Sequence, residues 1–330
     1  MNSDQPTQPA TNPGKNQLLQ LGMWLLRLGL PALGVWYVAS RIDPHALLRA
    51  AARFSPWMLA LALVYTGCMY LAPALRMRFL SHNALNRATA YRALILCLGV
   101  NNLVPARLGE LTKLAYLRTR GGLSLEHAST VVFWESFLDL NALGACALMS
   151  FAVLGEGALP LPLFALLLLI WAGLGLCIAR EDIGGRLVSA LPLGRFRPLA
   201  ADALARLRRQ SSPGFLAAGA AWTVFFWMLG LGHFALVLNG IAHLNLGIFQ
   251  LLSVFMAGVF AANMPSSPGA LGVFEAAMVA ALTWNGVEPE AAVAGTLVLR
   301  VFQYLPSTLA ALWIMGREGI RPSRLRSSQA

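Results

Sequence analysis

Charged side chains interrupt the apolar stretches of this chain in pairs at helical spacing. Arg107 and Glu110 lie three residues apart, and Glu135 and Asp139 lie four apart within FWESFLDLNA. Each pair therefore shares one face of a helix. A charge at bilayer depth costs several kcal/mol and usually marks function. The two carboxylates are expected to neutralise an arginine or to share one proton.

A second pair, Glu275 and Arg300, occupies the corresponding part of the C-terminal half. One interpretation of all these charges is a polar cavity, and the other is structural ion pairs that join helices. Lys113 is different, because it lies near the end of an apolar stretch. Its long side chain is expected to reach the inner membrane interface.

The composition places these charges in a membrane. The chain has 330 residues, of which 57% are hydrophobic and only 12% charged, and its mean hydropathy is +0.62. A soluble chain would carry roughly 25% charged residues. We predict an all-α polytopic membrane protein, since the alternating segments of a β-barrel are missing from the sequence.

Six apolar stretches predict full transmembrane helices, and two others are interrupted. The full spans are expected at about 19–40, 56–75, 127–154, 159–179, 213–239 and 291–315. Regions 90–117 and 246–284 are broken by NNLVPARLG and ANMPSSPGALG. Each is predicted to be a re-entrant helical hairpin, because irregular backbone at membrane depth must be buried in protein or line a cavity. The breaks are expected at Pro105, Gly109, Pro265, Pro268 and Gly269.

Basic residues predict the orientation. With the N-terminus inside, the inner loops carry 18 Lys and Arg, Arg76 among them, and the outer loops carry three. The positive-inside rule then places both termini in the cytoplasm. Residues 1–18 are predicted to be a disordered tail, 180–212 a basic loop whose segment RPLAADALARLRRQ lies on the inner leaflet, and 316–330 a basic tail.

An internal repeat is predicted from the two breaks. At an offset of 160 residues both read P-x-x-x-G-x-L. Repeats 19–154 and 159–315 then each contain three full crossings and one hairpin, so the second repeat must be inverted. Inverted repeats with broken helices are typical of secondary transporters. Chance recurrence of Pro and Gly is the alternative.

The N-termini of the helices that follow the breaks could bind an anion. Ser267 can cap a helix that begins with Pro268, and such ends present free N–H groups. The amides Asn101 and Asn102 and the hydroxyl of Ser266 are expected to add donors. Alternatively, these polar groups satisfy the broken backbone itself.

Several other kinds of site find no support in the sequence. The four cysteines lie in apolar runs without disulfide or metal spacing, and His233 is expected to be hydrogen-bonded structure. The net charge of +11 is explained by topology and by anionic phospholipid at the inner surface, so nucleic acid is not a predicted partner. No metal or other cofactor is predicted.

The stretches NNLVPARLGELTKLAYL, SLEHASTVVFWESFLDL and MPSSPGALGVFEAA resemble the lysylphosphatidylglycerol synthase transmembrane-region family, also called flippase-like. The resemblance covers roughly 20–315. It implies lipid handling in a bacterial inner membrane, with Arg107, Glu110, Glu135, Asp139, Glu275 and Arg300 around the lipid headgroup. The family commonly has Arg where Ser136 stands here, so the partner of Glu135 is open.

Three functions remain open from the sequence. The first is a translocator that moves an anionic, polyprenyl or hopanoid-type lipid between leaflets. The second is an accessory subunit that holds a lipid-biosynthetic enzyme as its partner. The third is a membrane-embedded transferase acting on a lipid carrier, although no nucleophile–base spacing supports catalytic residues.

Overall fold

The computed structural model describes residues 55–104, 108–154, 161–264 and 267–319, and these ranges contain helices and no strand. Eleven α-helices follow one another in the described chain: α1 Pro56–Leu80, α2 Arg87–Leu103, α3 Gly109–Thr119, α4 Leu125–Leu154, α5 Leu161–Ala179, α6 Glu181–Ala190, α7 Arg197–Gln210, α8 Pro213–Ala235, α9 Ile248–Asn263, α10 Val273–Trp284 and α11 Pro289–Glu318. A π-helical turn, Leu236–Ile241, extends α8.

Local capping explains where several helices begin and end. Before α2, the side chain of Asn86 accepts a hydrogen bond from the Thr89 N–H at 2.7 Å. Before α8, the Ser212 hydroxyl accepts from the Phe215 N–H at 3.2 Å. Such caps satisfy backbone donors that have no partner inside the helix. Helix α11 ends at Gly319, whose φ of 64° only glycine adopts without strain.

Four helices of the described chain are long and apolar enough to cross a membrane. They are α1, Leu125–Leu148 of α4, α8 with its extension to Ile241, and α11. They match the predicted spans 56–75, 127–154, 213–239 and 291–315. Helix α5 coincides with the predicted span 159–179, but its apolar part, Ala165–Ala179, is shorter than the four long helices. The span at 19–40 and the tail 1–18 lie outside the described residues.

Both interrupted regions consist of two helices packed on each other. In the first, α2 ends at Leu103 and α3 begins at Gly109; in the second, α9 ends at Asn263 and α10 begins at Val273. A short 3₁₀ turn, Pro268–Ala270, lies inside the second break, and Gly269 there has a positive φ of 63°. Residues 105–107 and 265–266 are outside the described ranges.

Two hydrophobic cores hold the helices together, and each draws on both halves of the sequence. The first surrounds Trp134 and Leu117 and also includes Ile314 near the end of α11. The second surrounds Phe274 and Met278 and also includes Cys146 of α4. The last helix of each half thus contributes to the core of the other half.

The basic segment folds onto the first core. Helix α7, predicted to lie on the inner leaflet, packs on α4 and buries Leu207. Arg206 lies 3.7 Å from Glu126 at the start of α4, and Arg208 donates to the carbonyl of Cys177 at 2.9 Å. These contacts attach the amphipathic helix to the helix ends.

Helix α1 is longer than predicted, and this changes the place of one arginine. The span was predicted to end at about residue 75, which placed Arg76 in an inner loop. The helix instead continues through Pro73 to Leu80, and Arg76 is only 2% exposed. The loop assignment of Arg76 is therefore wrong. The neighbours Leu75, Met77 and Phe79 were the signal that the apolar segment continued past the proline.

Candidate functional site

A cavity of about 430 Å³ lies between the two cores, where α1, α2, α3, α4, α8, α9 and α11 meet. Apolar side chains form most of its wall, but a cluster of charged and polar groups also faces it. These groups are Arg76, Asn101, Asn102, Glu110, Lys113, Glu135, Asp139, His233, Tyr304 and Ser307. The structure thus brings both predicted carboxylate positions of α4 to one polar cavity.

On one side, Arg76 of α1 and Asp139 of α4 form a two-bond ion pair. The two terminal nitrogens of Arg76 donate to the two carboxylate oxygens at 2.6 and 2.8 Å. Arg76 also donates to the Thr223 hydroxyl at 3.1 Å, and the Trp227 indole donates to Asp139 at 3.3 Å. The Arg76 side chain is 3% exposed, whereas that of Asp139 is 37% exposed. Both side chains line the cavity, and the carboxylate is the more exposed of the two.

A second cluster has the same arrangement. Lys113 of α3 lies 2.6 Å from Glu110 and 3.0 Å from Glu135 of α4. The side chains of Lys113 and Glu135 are 7% and 5% exposed, and that of Glu110 is 41% exposed. The prediction that Lys113 reaches the membrane interface is wrong, because two carboxylates hold it inside. Lys113 is also the partner of Glu135 that the sequence left open.

The predicted pair of the second half is present. Arg300 Nε lies 2.6 Å from Glu275, whose other oxygen accepts from the Gly272 N–H at 2.6 Å. The guanidinium of Arg300 lies over the rings of Tyr304 and Phe274, 3.8 and 4.6 Å from their centroids. Its two terminal nitrogens have no hydrogen-bond partner among the residues that the structure describes. They are buried donors, and neither Arg300 nor Glu275 is among the residues that line the cavity, although Tyr304 and Phe274 are.

Two charged positions have the same spacing in both halves of the sequence. Twenty-five residues separate Glu110 from Glu135, and the same number separates Glu275 from Arg300. In both halves the first residue lies in the first turn of the helix after the break, and the second lies inside the next long helix. The sign at the second position differs, so the first half places a carboxylate where the second half places a cation.

The predicted amide donors mainly satisfy the protein. Asn101 accepts from the Gly109 N–H at 2.8 Å, which closes the first break. Asn102 donates to the hydroxyls of Ser307 and Thr308 at 3.1 and 3.0 Å. These contacts fit the structural interpretation of both amides, while their side chains still line the cavity.

The predicted cap at the second break is wrong. The hydroxyl of Ser267 donates to the Leu271 carbonyl at 2.7 Å, and α10 begins only after Gly272. The Glu275 carboxylate accepts a hydrogen bond from the Gly272 N–H, so this backbone donor is satisfied within the protein. Pro268 opens the 3₁₀ turn. Arg107, Pro105, Pro265 and Ser266 lie outside the described residues.

Helices α1 and α8 make a pair of reciprocal contacts that the sequence did not reveal. Arg76 of α1 donates to Thr223 of α8, and His233 of α8 lies 2.9 Å from Thr66 of α1. Thr66 and Thr223 are 157 residues apart, and so are Arg76 and His233. From one contact to the other, the residue numbers rise along α1 and fall along α8, so the two helices are antiparallel. The two contacts therefore join residues related by the same sequence offset, in opposite directions along the two helices.

No metal centre emerges from this geometry: within the described ranges, no group of three His, Cys, Asp or Glu side chains could hold a metal ion.

Fold and site together define a polytopic α-helical membrane protein with a charged internal cavity. The chain belongs to the family described as the lysylphosphatidylglycerol synthase TM region, whose family model matches residues 24–311. This confirms the resemblance found in the sequence. A comparison with curated proteins found no significant match.

Proposed function

We propose that this protein is a lipid translocator that carries a headgroup through the cavity while the acyl chains stay in the bilayer. The observation that supports it best is the exposure pattern of Arg76 and Asp139. Arg76 and Asp139 both line the cavity, and the Asp139 side chain is 37% exposed, so the pair leaves polar groups within reach of a headgroup. At about 430 Å³ the cavity suits a headgroup and not a whole lipid.

The headgroup is proposed to be anionic, and Arg300, whose guanidinium lies against the cavity-lining rings of Tyr304 and Phe274, is proposed to be one of its contacts. The terminal nitrogens of Arg300 are buried donors, and guanidinium groups match phosphate geometry. Arg107 and Ser266, at the two breaks, are proposed to add donors. Glu110, Glu135, Asp139 and Glu275 hold the cations in place and shape the cavity, and Asn101 and Asn102 position the first break.

An inverted repeat with two re-entrant hairpins is the proposed basis of alternating access. The reciprocal contacts of α1 and α8 support it, since antiparallel equivalent helices require a two-fold axis across them. The matching order of break, short helix and long helix in both halves supports it as well. Rocking of one half against the other would then open the cavity to each leaflet in turn.

The surroundings of the protein are part of the same proposal. We place both termini in the cytoplasm and the protein in a bacterial inner membrane. With Arg76 assigned to the core and not to an inner loop, most of the basic residues still lie on the predicted inner side. The exposed arginines around α7 would meet anionic phospholipid there, and a lipid-biosynthetic enzyme could supply the substrate.

An accessory role is the second candidate, and one observation favours it. Arg76 and Lys113 both form ion pairs with carboxylates, as they would if these charges served only to hold the helices together. This reading predicts that the charges can be neutralised without loss of activity, provided that the protein folds. A transferase would instead require activity of the purified protein with a donor substrate.

Translocation in proteoliposomes tests the proposal. Purified protein would be reconstituted with headgroup-labelled lipids of several classes, with and without a proton gradient, and a membrane-impermeant reagent would report outer-leaflet lipid. Wild type would be compared with Arg300→Gln, Arg107→Ala and Glu110→Gln. Arg120→Gln, whose side chain is 57% exposed, is the matched control.

We expect translocation by wild type and by the control, and its loss in the three site variants. Absence of movement for every lipid class would contradict the translocator. Full activity of all three folded variants would favour the accessory role.

A further inference from the structure

His233 has one ring nitrogen without a partner on the wall of the cavity. Its side chain is 0% exposed, and Nε2 lies 2.9 Å from the hydroxyl oxygen of Thr66. That hydroxyl donates its single proton to the Ala62 carbonyl at 2.7 Å. With that proton engaged, the oxygen can accept from Nε2–H, and this tautomer leaves Nδ1 as an unprotonated base. Nδ1 has no hydrogen-bond partner in the described part of the chain.

The equivalent position on α1 is a permanent cation. The Thr223 hydroxyl likewise donates to the carbonyl four residues earlier, at 2.8 Å, and accepts from Arg76. Arg76 and His233 are therefore bound alike by equivalent threonines. They differ in that a guanidinium always carries its charge, whereas an imidazole carries one only after taking up a proton. His233 is thus a titratable counterpart of Arg76.

The groups around the ring keep it from having a fixed counterion. Tyr65 of α1 and Phe302 of α11 contact the ring, at centroid distances of 6.0 and 6.4 Å. No carboxylate in the described ranges forms an ion pair with it. The titratable groups that share its cavity are Tyr70 and Arg76 of α1, Cys97 of α2, Glu110 and Lys113 of α3, Glu135 and Asp139 of α4, and Tyr304 of α11. Among these carboxylates, Asp139 pairs with Arg76, and Glu110 and Glu135 share Lys113.

We propose that His233 Nδ1 is the proton-binding site of the cavity: it takes up one proton from solvent when a phosphate-bearing ligand enters and releases it when the ligand leaves. The physical cause is the new negative charge, which favours an imidazolium inside a poorly solvated cavity. Uptake keeps the ligand-bound cavity closer to neutral. This proposal rests on the proposed function for the presence of a phosphate ligand.

Calorimetric titration in two buffers of different ionisation enthalpy measures the protons taken up on binding. The ligands would be a short-chain phosphatidylglycerol and, to separate a lipid headgroup from free phosphate, inorganic phosphate. Wild type would be compared with His233→Gln, whose amide can still donate to Thr66 but cannot take up a proton. His243→Gln is the matched control, since His243 is exposed.

At about pH 7.5, above the ordinary range of imidazole, we expect wild type and the control to take up close to one proton per lipid bound. His233→Gln should bind with no uptake. Its affinity should also be nearly independent of pH, whereas that of wild type should fall by up to about tenfold per pH unit, the limit for one linked proton.

Binding to wild type without uptake would overturn the proton site and leave the translocator intact, whatever the variant does. Equal uptake by His233→Gln would do the same. Uptake with inorganic phosphate alone would keep the proton site but assign it to a free anion. Absence of binding by both ligands would overturn the phosphate-linked proton site, whereas the translocation assay tests the translocator separately.

Discussion

Arg76 and Asp139, 63 residues apart in the chain, meet through two parallel hydrogen bonds of 2.6 and 2.8 Å between α1 and α4. The same arginine reaches Thr223 of α8, so one side chain joins three long helices. Because the guanidinium is buried, its charge depends on Asp139 for compensation.

Asp139→Ala is expected to destabilise the protein by about 3 kcal/mol, the lower end for a broken buried pair, since Asp139 is partly exposed. Replacing both partners, as Arg76→Met with Asp139→Leu, should recover most of that stability and still abolish translocation. Thermal unfolding in detergent and the proteoliposome assay check the two parts. A double variant that is stable and fully active would show that the pair is purely structural.

Lys113→Met should be more damaging, by roughly 3–5 kcal/mol, because it leaves the fully enclosed Glu135 carboxylate without a cation. Adding Glu135→Gln to Lys113→Met should restore much of the loss, since it removes the orphaned charge. Arg118→Met, on the exposed side of the same helix, is the control and should change stability by less than about 0.5 kcal/mol. Unfolding midpoints of the four proteins decide whether Lys113 is held as described.

Gly109→Ala tests the close approach of the two arms at the first break. An added Cβ would lie 2.1 Å from the Cys97 carbonyl oxygen, a backbone atom that cannot turn aside. We expect a loss of about 1–3 kcal/mol and faster reaction of the buried Cys97 with a thiol reagent.

Gly173→Ala on α5 is the matched control for Gly109→Ala, because its Cβ meets nothing within 4 Å. It should be neutral or stabilising by up to about 1 kcal/mol, from helix propensity. Similar behaviour of the two variants would contradict the tight contact at the break.

The contact between Gly99 of α2 and Ala311 of α11 supports a fourth prediction. A Cβ on Gly99 would lie 2.1 Å from the Cβ of Ala311, so Gly99→Ala should cost about 1–3 kcal/mol. Ala311→Gly removes the opposing methyl group and should compensate when both changes are combined. A double-mutant cycle in detergent measures this coupling, and purely additive effects would argue against direct contact.

The sequence predicted what depends on local pattern. Apolar length located the four long helices, and the clusters of Pro and Gly located both breaks. Glu275 and Arg300 were paired correctly because both stood out as charges inside apolar stretches of the same half. Local pattern was enough in each of these cases.

Contacts made only after folding were not predictable in this way. Arg76 was predicted to be a loop residue because the apolar span was expected to end at about residue 75, whereas the helix continues to Leu80. Lys113 looked free to reach solvent, since nothing local shows that Glu135 faces it from another helix. Thr66 and Thr223 carry no charge at all, and their roles emerge only once α1 and α8 cross.

The packing of α2 on α11 has its counterpart in the packing of α9 on α4, so the helix before each break lies against the last long helix of the other part of the sequence. Each part of the sequence therefore contributes a helix to the packing of the other. Both cores would lose buried residues if the chain were cut after α4, since Ile314 belongs to the first core and Cys146 to the second. Two fragments divided after α4 should each be unstable when made separately, and should assemble only when they are made together.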